Sequence, residues 1–236
     1  MSIRTALVTG ASGGIGVAIV ERLRANGLKV IRLDVSGPCD LKLDISRDTL
    51  PADVFGSVDI CVANAAIVDT MAAAHKMSLA QWSRDIDVNL TGSFRVIQAC
   101  LVGMRARRWG RVIAISSVAG HLGAPGQIAY AASKSGLQGL MRTVAIENTS
   151  HGITANCVLP GLVATPKALA MPDDIRERAI AAIPAGRFAE PAEIAHLTAF
   201  LASEEASYIT AQEIEIDGGM SLTSFSLRPP RPVSPT

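Results

Sequence analysis

Short apolar, β-branched runs alternate with longer amphipathic stretches along nearly the whole chain, an order that suits repeated βαβ units around a parallel sheet. The runs are Thr5–Thr9, Lys29–Leu33, Asp59–Val62, Arg111–Ile115, Thr154–Leu159 and Glu213–Ile216, with a weaker one at Leu41–Leu43. Several are continuously apolar, as expected for strands covered on both faces. Helices are predicted over Ile15–Asn26, Gln81–Arg105, Tyr130–Glu147, Asp173–Ala182 and Pro191–Ala202, with Gly27, Gly110 and Gly152 as stop signals. Pro51–Val58 is too short for an ordinary helix, so one crossover is abbreviated. The expected fold class is α/β: a single doubly wound domain over residues 1–227, its parallel sheet flanked by helices on both faces. A proline-rich tail at residues 228–236, which cannot continue a sheet or helix, follows it.

With 236 residues, 49% of them hydrophobic and 18% charged, the chain can bury a full core. Twenty-two basic residues stand against twenty-one acidic ones, a net charge of +1 that lacks the basic footprint of a general nucleic-acid binder. Gly, Asn or a charge interrupts every apolar stretch before the ~18 residues of a membrane span. The N-terminus runs straight into Ile3–Val8, leaving no room for a signal peptide, so a cytoplasmic location is expected. Cys39, Cys61, Cys100 and Cys157 are widely spaced and form no Cys-x-x-Cys pair, which points to reduced thiols and no metal site. A small molecule is the expected partner.

Thr9-Gly10-Ala11-Ser12-Gly13-Gly14-Ile15-Gly16 ends the first strand and opens the first helix. In that position the backbone N–H groups of Gly10, Ser12, Gly13, Gly14, Ile15 and Gly16 and the helix N-terminus can face a pyrophosphate. Asp34, eighteen positions after Gly16, ends the second strand. Its carboxylate can accept from both adenosine ribose hydroxyls and would repel a 2′-phosphate, and neither Gly13 nor Val35 supplies a compensating charge. NAD is therefore expected over NADP, with Arg32 as the residue that could favour NADP instead.

Further motifs follow in order: Ala63-Asn64-Ala65-Ala66 after a strand, Asn89 in a helix, Ser116-Ser117 after a strand, Tyr130-Ala131-Ala132-Ser133-Lys134, and Pro160-Gly161. Together with the glycine turn they resemble the short-chain dehydrogenase/reductase family over all but the terminal tail, and Pro184–Gly219 looks similar to its 3-oxoacyl reductase-like members. The resemblance implies a Rossmann-like fold and a catalytic set of Asn89, Ser117, Tyr130 and Lys134. Ser117 is preferred to Ser116 because it lies thirteen positions before Tyr130, a spacing that resembles the family's; Ser116 is the fallback. For the cofactor the resemblance implies Asp44-Ile45 at the adenine, with Asp40-Leu41 competing. It adds Asn64, Ala65 and Ala66 near the ribose, Tyr130 and Lys134, and Pro160, Gly161, Val163 and Thr165 toward the nicotinamide. The family's usual Asn-Asn-Ala-Gly is replaced by Ala63-Asn64-Ala65-Ala66, which implies a small change in packing.

A tyrosine with a pKa near ~10 is a poor base, so something must lower it. Lys134 shares Tyr130's helix face by the i,i+4 relation and can stabilise a phenolate, while also holding ribose hydroxyls. Ser117 would bind the substrate oxygen, and Asn89, in the family manner, would support Lys134 through a water and a local break in helix hydrogen bonding. Residues 164–188, with a helical stretch bounded by Pro172 and Pro184, are expected to form a lid. His121, Leu122, Gln127 and Leu162 are the expected substrate wall, joined by lid residues such as Leu169 and Met171. They favour a neutral secondary alcohol or ketone as substrate.

Two alternatives stay open. One is reduction of a 3-oxoacyl thioester on acyl carrier protein or coenzyme A, with NADPH as an option. There Arg105, Arg107 and Arg108 would meet the carrier, or they would simply cap a helix end. The other is a catalytically silent NAD-binding regulator. A homotetramer is expected, with Ala131, Ala132, Gly136 and Gly139 allowing close helix approach, although core packing within one subunit would also explain those residues.

Overall fold

The computed structural model describes residues 3–222. Its order is β1 (Thr5–Thr9), α1 (Gly14–Ala25), β2 (Lys29–Asp34), β3 (Leu41–Lys42), α2 (Ala52–Gly56), β4 (Ile60–Ala63), α3 (Leu79–Ile86) and α4 (Ser93–Arg107). There follow β5 (Gly110–Ile115), α5 (Ala119–Leu122), α6 (Ile128–Asn148), β6 (Ile153–Pro160), α7 (Pro166–Leu169), α8 (Asp173–Ala181), α9 (Pro191–Leu201) and β7 (Glu213–Ile216). The strands form one seven-stranded sheet in the order β3-β2-β1-β4-β5-β6-β7. All pairs are parallel. Chain direction across the sheet reverses between β1 and β4. At such a switch point the connections leave in opposite directions, and a crevice opens beyond the carboxyl ends of the strands.

Alternate side chains along each strand feed two cores. Leu7, Cys61, Val112 and Ala155 meet Val96, Ile97 and Met104 of α4 and Met141 of α6. Ala6, Val8, Val62, Ile113 and Val158 meet Ile19 and Leu23 of α1 and Ile194 and Leu201 of α9. Burial on both faces explains why the strands read as unbroken apolar runs.

The single helix expected over Gln81–Arg105 is interrupted: a π-helical turn, Asp87–Gly92, separates α3 from α4. The helix also ends differently, at Arg108 in the left-handed region (φ 55°). Gly110, read as the stop, is instead the first residue of β5, where a Cβ would lie 2.6 Å from the Met104 sulfur. Gly27 (φ +80°) and Gly152 (φ +70°) do follow their helices as expected. The abbreviated crossover is the five-residue α2.

Helices α5 and α7, four residues each, are too short to leave a periodic signal. Cys61 and Cys100 are not isolated, since their thiols share a hydrogen bond in the core that pushes the Cys100 thiol up, and Cys39 is half-buried. Among the described residues there is no cluster of metal-ligating side chains, and no helix is long and apolar enough to cross a membrane. The proline-rich tail and the domain end at 227 lie outside the described residues.

Candidate active site

At the switch point, side chains tie the ends of β1 and β4 together. The buried Thr9 hydroxyl accepts the N–H groups of Asn64 and Ala65, each at 3.0 Å. The Asn64 amide donates to the Thr9 and Gly10 carbonyls, also at 3.0 Å. Gly10 (φ +62°) has no room for a side chain, because its Cβ would lie 2.8 Å from Ala65 Cα. A Cβ on Gly16 would lie 2.1 Å from the Gly10 oxygen. Helix α1 has neither a side-chain cap nor an acidic residue in its first turn, which leaves its N-terminus suited to an anion.

Asp34 closes the far side of this turn: one oxygen accepts the Ser12 N–H at 2.9 Å and the other the Ser36 N–H at 3.2 Å. Each oxygen keeps a further lone pair for ribose hydroxyls. Arg32, the residue that could favour NADP, is turned to Asp40 in a two-point ion pair of 3.1 and 2.8 Å. That pair occupies Asp40, whereas Asp44 lies beyond the carboxyl end of β3, on the crevice side. The Ser46 hydroxyl, at 2.6 Å, holds the Asp44 carboxyl below its usual range. Ile45 is buried against Gly92. Of the two pairs, Asp44-Ile45 is the one whose carboxylate is free of an Arg32 partner. Ala66 is exposed just beyond Ala65. The cleft therefore fits a dinucleotide: free helix amides for phosphate, a carboxylate for ribose, and glycines where a Cβ would collide.

Ser117 and Tyr130 meet where β5 and α6 converge. The Ser117 oxygen accepts the Ala119 N–H at 3.1 Å. Burial raises the Tyr130 phenol above its ordinary value, and a hydrogen bond with Ser117 opposes that rise. Ser116 points the other way, buried and donating to the Lys134 carbonyl at 2.9 Å, so it is no substitute for Ser117. The Lys134 ammonium is fully buried, 5.6 Å from the Tyr130 ring centroid, and donates to the Ile115 carbonyl at 2.7 Å. Desolvation brings it down to about 8. The lowering expected from Lys134 acts together with the charge of oxidised nicotinamide, and without that charge burial outweighs it.

Asn89 lies in the π turn, a local break in helix hydrogen bonding of the kind expected there. Its side chain clamps Ile67, accepting that residue's N–H at 2.8 Å and donating to its carbonyl at 2.9 Å. A register change that frees backbone groups has here let one side chain anchor the loop after β4.

Pro160 ends β6, and Gly161 sits so close to Asp217 that a Cβ would lie 2.9 Å from its Cα. Val163 bridges to Ala189, and Thr165 caps α7 while approaching Gly14, whose Cβ would lie 3.1 Å from it. Residues 164–188 carry α7 and α8 over a small core of Ala168, Ile183 and Phe188, against which Leu162 packs. Lys167 of α7 pairs with Asp69 in the loop after β4. Gln127 precedes α6 and bridges to Ala72, and Leu122 is exposed. His121 has both ring nitrogens turned to carboxylates of β7.

Residues 37–221 match a family model described as enoyl-(acyl carrier protein) reductase. The chain is 40% identical to the 3-oxoacyl-(acyl-carrier-protein) reductase FabG of Vibrio cholerae serotype O1, covering 92% of this chain and 97% of that one. It is also 40% identical to the acetoacetyl-CoA reductase of Rhizobium meliloti, covering 92% and 98%. A solved oxidoreductase of the short-chain dehydrogenase/reductase family from Burkholderia thailandensis superposes with a TM-score of 0.85 at 34% identity, covering 94% of each chain. The chain belongs to the short-chain dehydrogenase/reductase family. It is an oxidoreductase acting between alcohol and keto groups.

In this dehydrogenase/reductase, two anchoring features escaped the sequence reading. Thr9 stood in the glycine motif without a role, although a buried hydroxyl before Gly10 needs partners. The His121 cluster left no local trace, since its members lie over 90 positions apart.

Proposed function

We propose that the protein reduces the 3-keto group of 3-oxoacyl thioesters, with NADH as the reductant. The observation that carries this reading is the half-buried Tyr130 phenol meeting Ser117 where β5 and α6 converge, a proton donor in place for a ketone oxygen. The names of the 40%-identical relatives, reductases of 3-oxoacyl and acetoacetyl thioesters, support the substrate class. Ser117 would hold the ketone oxygen, and Tyr130 would deliver a proton to it as the hydride reaches the carbon. The nicotinamide cofactor supplies that hydride. Lys134 would hold ribose hydroxyls, and its buried charge would steady the phenolate left behind. Asp34, with Arg32 turned away, supports NAD over NADP.

In this reading Gly10, Ser12, Gly13, Gly14, Ile15 and Gly16 face the pyrophosphate, while Asp44, Ile45, Asn64, Ala65 and Ala66 flank the adenosine. Pro160, Gly161, Val163 and Thr165 border the nicotinamide, and residues 164–188 close over it as a lid. Arg105 bonds Glu147 and Asn148 at the end of α6, Arg107 bonds Gly56, Val58 and Asp59, and Arg108 bonds Ser150, so these side chains are engaged within the chain and favour neither carrier. Exposed Phe94 and Val102 on α4 and Ile146 on α6 support a homotetramer, which light scattering tests. The same reading places the protein in the cytoplasm.

Asp34 also favours a second reading, NAD-dependent oxidation of a simple secondary alcohol. A panel of acetoacetyl-CoA, longer 3-oxoacyl thioesters and plain ketones and alcohols, followed by nicotinamide absorbance, separates the two. Thioesters turning over at least about tenfold better in kcat/KM than plain ketones is the expected result. Equal or better turnover of plain substrates would overturn the thioester assignment.

A further inference from the structure

We propose that His121 is a positioning residue: gripped between Glu213 and Glu215, it fixes α5 so that the Ser117 hydroxyl stays aimed at the reacting oxygen. This rests on the reading of Ser117 given above. The His121 Nε2 lies 2.8 Å from a Glu213 oxygen and its Nδ1 lies 3.0 Å from a Glu215 oxygen. Ionised carboxylates only accept, so both contacts are satisfied together only when the ring is an imidazolium with two N–H donors.

Charge balance favours the same state. On the β7 side stand Glu213 and Glu215; α6 contributes Arg142, which pairs with Glu213, and Ser221 donates to Glu215. Asp217 is a like charge to Glu215, and the Cys157 thiol of β6 lies near Glu213. Among the described residues, with a neutral His121, Arg142 is the cation paired with these carboxylates.

The grip is transmitted over a short path. Helix α5 starts two residues after Ser117, and its Ala119 N–H donates to the Ser117 oxygen. That leaves the hydroxyl proton to point elsewhere, toward the phenol or a substrate. On its other side α5 presses on α6 through Gly120, where a Cβ would lie 2.9 Å from the Ser135 nitrogen and 3.0 Å from the Lys134 carbonyl carbon. Four residues have little cohesion as a helix, so α5 depends on such outside contacts. His121 joins it to the strand beside β6.

The test compares wild type with His121→Ala, His121→Gln, Glu215→Gln and, as a reference, Ser117→Ala. It measures kcat and KM for acetoacetyl-CoA, the NADH Kd by fluorescence, and the pH profile of kcat. His121→Ala is expected to lower kcat about tenfold with NADH Kd unchanged within twofold, because misplacement of a reacting group by a fraction of an ångström is enough for that loss. His121→Gln, which keeps one donor, recovers part of it.

The carboxylates raise the imidazolium pKa, so the grip is complete below the ordinary value of 6.5 and is lost as pH rises through the raised one. Wild type therefore carries an alkaline decline in kcat that His121→Ala lacks. Should that variant not fold, Glu215→Gln is expected to move the decline to lower pH. Unchanged kcat and pH profile in His121→Ala, with Ser117→Ala crippled, would overturn the positioning role alone. Near-normal turnover by Ser117→Ala would overturn the underlying reading of Ser117.

Discussion

The cofactor side and the substrate side of the crevice are built on the same βα repeat, yet they are held in place by different means. Around Thr9–Gly16 the parts are locked by backbone: Thr9 and Asn64 bond main-chain groups, and Gly16 packs where a methyl group would meet the Gly10 oxygen. Around α5, α7 and α8 the parts are held by ion pairs near the surface, His121 with Glu213 and Glu215, Lys167 with Asp69 and Arg187 with Glu193, and by a core of few residues. Backbone locks tolerate almost no change, while exposed ion pairs add little to stability even where they set the position of a side chain. The lesson is that one side is fixed by its own backbone, while the other depends on side chains that meet from distant parts of the chain.

Substitutions that strike each side should therefore differ sharply in size. Gly16→Ala is the harshest, because its methyl group would lie 2.1 Å from a backbone oxygen that cannot move aside. At least a hundredfold weaker NADH binding is expected, measured by fluorescence titration with a melting curve alongside; wild-type affinity would break the comparison. Asp34→Ser comes next, with kcat/KM for NADH expected to fall roughly tenfold to a hundredfold while that for NADPH rises. An unchanged cofactor ratio would show that Asp34 does not select.

Lys134→Met tests the junction of the two sides through pH. The native lysine titrates at about 8 against 10.5 when unfolded, so between those values the unfolded chain binds the extra proton and stability rises with pH. Denaturant titrations from pH 8 to 10 should show wild type gaining on the variant, by at most about 1.4 kcal/mol per unit. A constant gap would mean that the ammonium is not desolvated. Smallest is Lys167→Met, which breaks an exposed pair and should change stability by less than about 1 kcal/mol and KM only a few-fold, with the difference shrinking in high salt. A large effect on cofactor binding would move α7 to the locked side.

The same division governs how much could be read from the residues alone. Strands β1, β2, β4, β5, β6 and β7 were legible because burial on both faces writes itself as local apolar runs, and the glycine turn because it follows one of them. The π turn at Asp87–Gly92 was not, since an extra residue in a helical turn barely disturbs the hydrophobic period. Arg32 and Asp40 looked like separate candidates until pairing tied them together. His121 resembled a loop residue facing substrate because its partners lie on β7, and sequence proximity to Ser117 says nothing about which way the ring turns. Tyr130 was placed by the family resemblance of its motif with Lys134, but the direction of its pKa needed the burial that only the fold supplies.

The central claim is that Tyr130 delivers the proton to a 3-oxo group. The direct measurement is the turnover of acetoacetyl-CoA with NADH by wild type and Tyr130→Phe, with NADH affinity measured on both. The expected result is steady turnover by wild type and a loss of at least about a hundredfold in kcat for the variant at equal NADH affinity. Near-normal kcat in Tyr130→Phe, or no turnover by a wild-type protein that binds NADH, would contradict it.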